Sequence, residues 1–266
     1  MTVAAIETGK LDIGRVIQGT FGVIGRNFVT FSAMGLLFYG LPLMAFSIVQ
    51  QSLGVTTPTF NLQTILWSIT GGLVMIVTSA ILQGALIHAT VQDMNGAKPA
   101  LGESLATGLR AFLPLLGVSI LFGLGAGLGF MLLIVPGIMI VCAWAVAVPA
   151  LIADRTGVSG AFGRSATLTR GNRWRIFGLA LITYVVAIVM SLVLLQLSGI
   201  NAFAQPDAAS IQAAQAGALS PVALILNLVT NVLTSVISST GIAVLYVELR
   251  RNHEGGGAKW LSEIFS

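Results

Sequence analysis

The sequence predicts an all-α fold: a polytopic membrane protein with six transmembrane helices in three hairpins, each hairpin preceded by a cytoplasmic amphipathic helix. Three observations carry this prediction. First, 56% of the 266 residues are hydrophobic, 8% are charged and the mean hydropathy is +0.94, a composition suited to lipid rather than water. Second, the chain holds six apolar runs of about 20 residues, the length that a helix rising about 1.5 Å per residue needs to cross about 30 Å of hydrocarbon. Third, the basic residues fall only in alternate connections between those runs.

Residues 11 to 28, LDIGRVIQGTFGVIGRNF, set Ile13, Val16, Ile17, Thr20, Phe21, Ile24 and Phe28 on one stripe, with Asp12, Arg15, Gln18 and Arg26 opposite. That is the pattern of a helix lying along a membrane surface. Glu7, Lys10, Asp12, Arg15 and Arg26 interrupt any cleavable signal in residues 1 to 27. The spans follow at 28 to 50, 64 to 90, 111 to 133, 136 to 153, 174 to 198 and 219 to 247, so a 28 to 247 bundle is followed by a cytoplasmic tail at 248 to 266. Residues 100 to 112 repeat the amphipathic pattern through Leu101, Leu105, Leu109 and Phe112. Residues 161 to 174 repeat it through Phe162, Ser165, Leu168 and Thr169. The three stretches align as Ile13-Gly14-Arg15, Leu101-Gly102-Glu103 and Phe162-Gly163-Arg164, which reads as three units of one surface helix and two spans. Pro136-Gly137 makes spans three and four a tight hairpin.

All 13 lysines and arginines sort to one side of this topology. Lys10, Arg15 and Arg26 precede span one, and Lys98 and Arg110 follow span two. Arg155, Arg164, Arg170, Arg173 and Arg175 lie between spans four and five, and Arg250, Arg251 and Lys259 follow span six. The connections at 51 to 63, 134 to 135 and 199 to 218 carry none. The positive-inside rule then assigns both termini and the basic loops to the cytoplasmic side of an inner membrane. This also accounts for a pI near 9.7 without nucleic acid, because every basic residue borders a span. Orientation alone does not require four arginines with Phe162 and Trp174 in one loop. Guanidinium groups hold phosphate bidentately and aromatic rings dip into the interface, so Arg164, Arg170, Arg173, Arg175 and Trp174 are candidate lipid-headgroup residues.

Other motifs resolve into packing. GLGAGLGF at 123 to 130 has Leu128 where a dinucleotide loop needs glycine. As a membrane helix it sets Gly123 with Gly127, and Gly125 with Gly129, four apart, where small residues admit a neighbouring backbone. In span six Asn227, Thr230, Asn231, Thr234 and Ser238 form a polar stripe that either bonds neighbouring helices or lines a cavity with Ser79, Gln83 and His88 of span two. Pro42, Pro114 and Pro149 are kink-prone. Cys142 is the one cysteine, so there is no internal disulfide or thiol cluster, and no metal or cofactor site is expected. Asp93, Glu103, Asp154 and Glu248 all fall near helix ends and read as ion pairs rather than catalytic carboxylates.

At residues 135 to 178 the chain resembles the membrane domain fused to some glycerophosphoryl diester phosphodiesterases and found in related uncharacterised bacterial six-span proteins. Pro136-Gly137, Pro149-Ala150-Leu151, Gly157, Ala161, Arg164-Ser165, Leu168-Thr169, Gly171 and Trp174 carry the resemblance, together with the LDIGRVIQGTFGVIGRNF start. The resemblance implies the six-span architecture. It does not imply the phosphodiesterase reaction, which in the fused members belongs to a separate soluble barrel that no extramembrane segment here is long enough to form. The reading that follows is a non-enzymatic inner-membrane protein whose basic amphipathic helices engage anionic phospholipids, a membrane-protein partner, or both. A small permease or lipid-moving protein with a cavity between hairpins is the alternative, and a membrane-embedded phosphodiesterase acting through Asp93, Glu103 or Asp154 is the third.

Overall fold

Asp12 starts the first helix by accepting the Arg15 backbone N–H at 3.2 Å, which satisfies one of the donors a helix start leaves without a partner. From there the computed structural model describes residues 11–52, 62–197 and 221–264. The connection at 199 to 218, most of that at 51 to 63, residues 1 to 10 and the side chain of Lys259 lie outside the described residues. The described residues contain helices and no strand. They form α1 (Ile13–Arg26), α2 (Phe28–Gly35), a π-helical turn (Leu36–Gly40), α3 (Leu41–Ser52), α4 (Leu62–Met94), α5 (Leu101–Leu132), α6 (Ile134–Ala143), α7 (Ala147–Asp154), α8 (Gly157–Leu168), α9 (Arg173–Leu197) and α10 (Pro221–Ile264). Among the described residues six segments are long and apolar enough to cross a bilayer: Phe28–Gln50, Leu62–Met94, Leu101–Leu132, Ile134–Asp154, Arg173–Val193 and Leu224–Glu254.

Prolines shape the spans without ending them. Pro42 has no N–H to offer the Phe38 carbonyl, and the turn just before it widens so that the Leu41 N–H bonds the Leu36 carbonyl, five residues back. Pro114 sits inside α5, which nevertheless runs unbroken from Leu101. The separate surface helix expected at 100 to 112 is therefore the first part of span three, since the helix continues past Pro114 without a break. The expected tail is likewise helical and continues α10 to Ile264, supported by the Arg250–Glu254 pair one turn apart.

The amphipathic segments find protein partners. α1 buries Val16, Thr20 and Val23, with Gly19 seated against Val244 of α10, while Phe21 and Phe28 on the adjoining edge of its stripe stay exposed. α8 buries Ala161, Ser165 and Leu168 at helical spacing. The most extensive packing between spans joins α4 to α5 rather than members of one predicted hairpin. Gly84 and Gly108 face each other there, and without side chains the two backbones meet. α9 and α10, the expected third hairpin, touch little. α9 is apolar on all sides and stands largely exposed, as a helix surrounded by lipid can.

Span four is broken between α6 and α7 at Trp144–Val146. Pro149 cannot donate to the Ala145 carbonyl, and the turn leaves two further backbone groups without helical partners. Residues of α8 and its C-cap supply them. The Ala143 carbonyl accepts the Ser165 hydroxyl at 2.8 Å and the Thr169 hydroxyl at 3.1 Å, and the Val146 N–H donates to Ser165 Oγ at 3.2 Å. Ser165 and Thr169 are fully buried. The Trp144 ring exposed by the break lies over Gly125 and meets Phe162 edge-on with centroids 4.6 Å apart.

Two stability tests follow. A Cβ on Gly108 would press on the Ile81 carbonyl oxygen and sit 3.1 Å from the Ala85 nitrogen, and backbone cannot yield as a side chain does. Gly108→Ala should therefore destabilise the protein by about 1–3 kcal/mol, read as a lowered melting temperature in detergent, whereas Gly123→Ala, which enters open space, should leave it unchanged. Removing both hydroxyls with Ser165→Ala and Thr169→Val strands the Ala143 carbonyl and Val146 N–H, and should cost about 1–3 kcal/mol for each orphaned group.

Candidate functional site at the basic end

The described basic residues gather at one end of the bundle, and the described acidic residues divide them into two groups. Asp93 of α4 takes Arg26 Nη2 at 2.6 Å and Asn27 Nδ2 at 2.7 Å, closing the α1–α2 corner onto span two. Asp154, at the end of α7, accepts Arg164 Nε at 2.9 Å and the Tyr246 hydroxyl at 2.7 Å, with Arg250 Nη1 at 3.6 Å. Glu254 bonds Arg164 and accepts Arg250 Nε at 2.7 Å. Glu248, nearly buried, lies between Arg15 at 3.9 Å and Arg251 at 3.7 Å. Hydrogen bonding to Glu254, aided by Asp154 against the opposing effect of burial, pushes Arg164 further above the ordinary arginine range. Asp93 does the same for Arg26. Arg15, Arg26, Arg164, Arg250 and Arg251 thus bind helices to one another.

The remaining cations have no acidic partner among the described residues: Lys98, Arg110, Arg155, Arg170, Arg173 and Arg175. Arg175 is engaged differently. Its Nη1 donates to the Leu11 carbonyl at 2.6 Å while the Leu11 N–H donates to Asn172 Oδ1 at 3.0 Å, so the start of the described chain is clamped on both its backbone groups. Arg170 and Arg173 flank Gly171, whose φ of +83° is a left-handed turn that glycine adopts without strain. With Ala166, Thr167 and Gly171 these two arginines line a hollow at the end of α8. Arg173 Nε is buried within the protein without an acceptor. Trp174 is 78% exposed and braced edge-on against Phe177 at 6.1 Å.

Five residues were expected to meet headgroups, and the structure separates them. Arg164 is tied into the ion network and Arg175 to Leu11, whereas Arg170, Arg173 and Trp174 remain together at one rim. Phe162, expected at the membrane interface, packs on Trp144 instead because the break in span four exposes that ring. The polar stripe does not form one lining. Asn227 and Thr234 are exposed, and Asn231 and Ser238 are half-buried. Asn231 Nδ2 bonds Asn227 Oδ1 at 2.7 Å within the same helix, while Leu228, Val232 and Val236 form the face of α10 that packs inward. His88 faces α5, with Nδ1 3.4 Å from Ser104 Oγ, and Gln83 is half-buried on α4. Of the four glycines, Gly125 receives the Trp144 ring and Gly129 approaches Gly137, but Gly123 and Gly127 face open space.

Sequence reasoning missed Ser165 and Thr169 as partners of the broken span, and missed Asn172, Tyr246 and Glu254. A signal existed for the first two: Pro149 orphans a carbonyl inside an apolar segment, and hydroxyls four residues apart in the next helix are suited to such groups. None existed for Tyr246, which is one apolar-looking residue in a long run until Asp154 comes within 2.7 Å. No curated protein and no solved structure matches the chain. A family model described as a domain of unknown function, DUF7847, matches residues 11–250, from the clamped Leu11 to Arg250 in the ion network. Its description does not name the phosphodiesterase membrane domain expected from residues 135 to 178, and the comparisons do not confirm that resemblance. With the match covering residues 11–250, the chain, whose six apolar helices mark it as a membrane protein, belongs to the DUF7847 family, whose function is unknown.

Proposed function

We propose that this protein is a non-enzymatic multi-pass membrane protein that holds anionic phospholipid headgroups at its basic end, which faces the cytoplasm. The observation that carries the reading is the partition of the arginines. Where an arginine serves the fold it is paired with a carboxylate or a backbone carbonyl, and Arg170 and Arg173 are left without acid around a hollow beside an exposed tryptophan. Unpaired guanidinium groups next to an interfacial ring suit phosphate at a membrane surface. Exposed Phe21 on α1 and Phe28 at the start of α2 add apolar contact with lipid. The same geometry supports a permease less well. Asn227 and Asn231 bond each other on an outward face while His88 turns to α5, so these polar groups share no common space.

Two experiments address this reading. In native mass spectrometry the Arg170→Glu, Arg173→Glu variant should retain at least about tenfold less phosphatidylglycerol than the parent, since two charge-assisted contacts are replaced by repulsion. Arg164→Gln should instead lower the melting temperature, with retention per folded molecule unchanged. Full retention by a folded charge-reversed variant would sink the headgroup reading. For orientation, Ala97→Cys places a thiol at an exposed position in the α4–α5 connection, against the silent background of buried Cys142. An impermeant maleimide should label it in inverted vesicles and not in intact cells, and the reverse pattern refutes the cytoplasmic assignment.

A further inference from the structure

We infer that the outward polar stripe of α10 is the surface on which two copies of this chain pair side by side in the membrane. Pairing there does not depend on headgroup binding at the basic end. The opposite face of α10 fixes the depth of the stripe. Leu228 is seated against Gly40 and Val232 against Gly35. Gly40 falls near the middle of span one, Phe28–Gln50, so at about 1.5 Å per residue Leu228 lies about 15 Å or more from either end of that span. Asn227 and Asn231, the chain neighbours of Leu228 and Val232, are therefore inside the hydrocarbon rather than at its edge. At helical spacing Asn227, Asn231, Thr234 and Ser238 fall on the side of α10 away from Leu228, Val232 and Val236, and Asn227 and Thr234 are exposed there.

Hydrocarbon offers a polar side chain no partner. A hydroxyl can find one in its own helix, and Thr70 and Thr78 of α4 and Thr183 and Ser191 of α9 each donate to the carbonyl four residues back. A carboxamide, with two donor hydrogens and an acceptor oxygen, is satisfied this way only in part. Asn231 Nδ2 donates to the Asn227 carbonyl at 2.8 Å and to Asn227 Oδ1 at 2.7 Å. Asn227 Nδ2 and Asn231 Oδ1 then have no partner among the described residues. What is left over is self-complementary, a donor on one turn and an acceptor on the next. Two copies inserted the same way up are related by a twofold axis along the membrane normal, which sets α10 parallel to itself. The spare donor of Asn227 in each copy then meets the spare acceptor of Asn231 in the other. Thr234 and Ser238 are small enough to let the two helices approach closely at the following turns. A partner of different sequence would have to match this order of donor and acceptor, whereas a second copy supplies it by symmetry.

The test is cysteine crosslinking of the full chain in native membranes, where Cys142 is buried and silent. Under mild oxidation Thr234→Cys should give at least about tenfold more disulfide-linked dimer than Leu73→Cys, which places a thiol at an exposed position of α4, because the twofold axis brings residue 234 within disulfide reach of its own copy. Adding Asn227→Leu and Asn231→Leu to Thr234→Cys should lower the dimer yield at least about fivefold while the helical circular dichroism of the parent is kept. Equal yields from Thr234→Cys and Leu73→Cys overturn the pairing, and that comparison decides the matter even if the leucine variant does not fold. An undiminished yield in the folded leucine variant overturns the role of the asparagines and with it the inference. Crosslinking of Thr234→Cys to a cysteine placed in the 199 to 218 connection of the same chain, or to a different membrane protein in place of a second copy, assigns the stripe to that occupant and overturns the dimer.

Discussion

The arrangement of the basic end depends on satisfying the backbone of span four where it breaks. An apolar helix keeps its polar groups bonded to itself, and lipid offers no substitute when that pattern fails. Pro149 and the turn at Trp144–Val146 interrupt it, and the Ser165 and Thr169 hydroxyls take over the Ala143 carbonyl and the Val146 N–H. This holds α8 against the broken span. It also sets where α8 ends, and therefore where Gly171 turns the chain and where Arg170 and Arg173 emerge. Asn172 and Arg175 extend the constraint to Leu11 and so to the start of α1.

The second organising feature is the division of positive charge. An ion pair at a solvated surface contributes little, but a carboxylate with two or three donors, such as Asp154 between Arg164, Arg250 and Tyr246, resists being pulled apart because Arg164 and Arg250 are also held by Glu254. The network connects α7, α8 and α10, while Asp93 connects α1 and α4. The arginines of a single loop thus divide into those that serve the fold and those that meet no acid. Arg164 and Arg175 hold helices and the chain start, and Arg170 and Arg173 have no acidic partner among the described residues.

Much of the fold was legible in the sequence because span length, hydropathy and capping are local properties. Asp12 before an amphipathic run, the six apolar segments and the one-sided distribution of lysine and arginine can all be read without knowing what touches what. The site was legible only in outline. Four arginines and a tryptophan stood out, yet nothing local separates Arg164, which meets Glu254 ninety positions away, from Arg170, which meets no acid. The glycines of span three make the same point. Gly125 and Gly127 are alike in sequence, but Trp144 lies over one and open space over the other.

By itself, then, the sequence determined that this chain is a six-span helical membrane protein with its charge gathered at one end, since the transfer of each segment into lipid depends on that segment's own composition. Tertiary structure alone decided which spans pack together, which hydroxyls complete the broken helix and which arginines remain available. Those outcomes depend on distances between residues far apart in the chain. A side chain at helical spacing carries no mark of whether its partner will be a carboxylate, an aromatic ring or lipid, and packing supplies that answer.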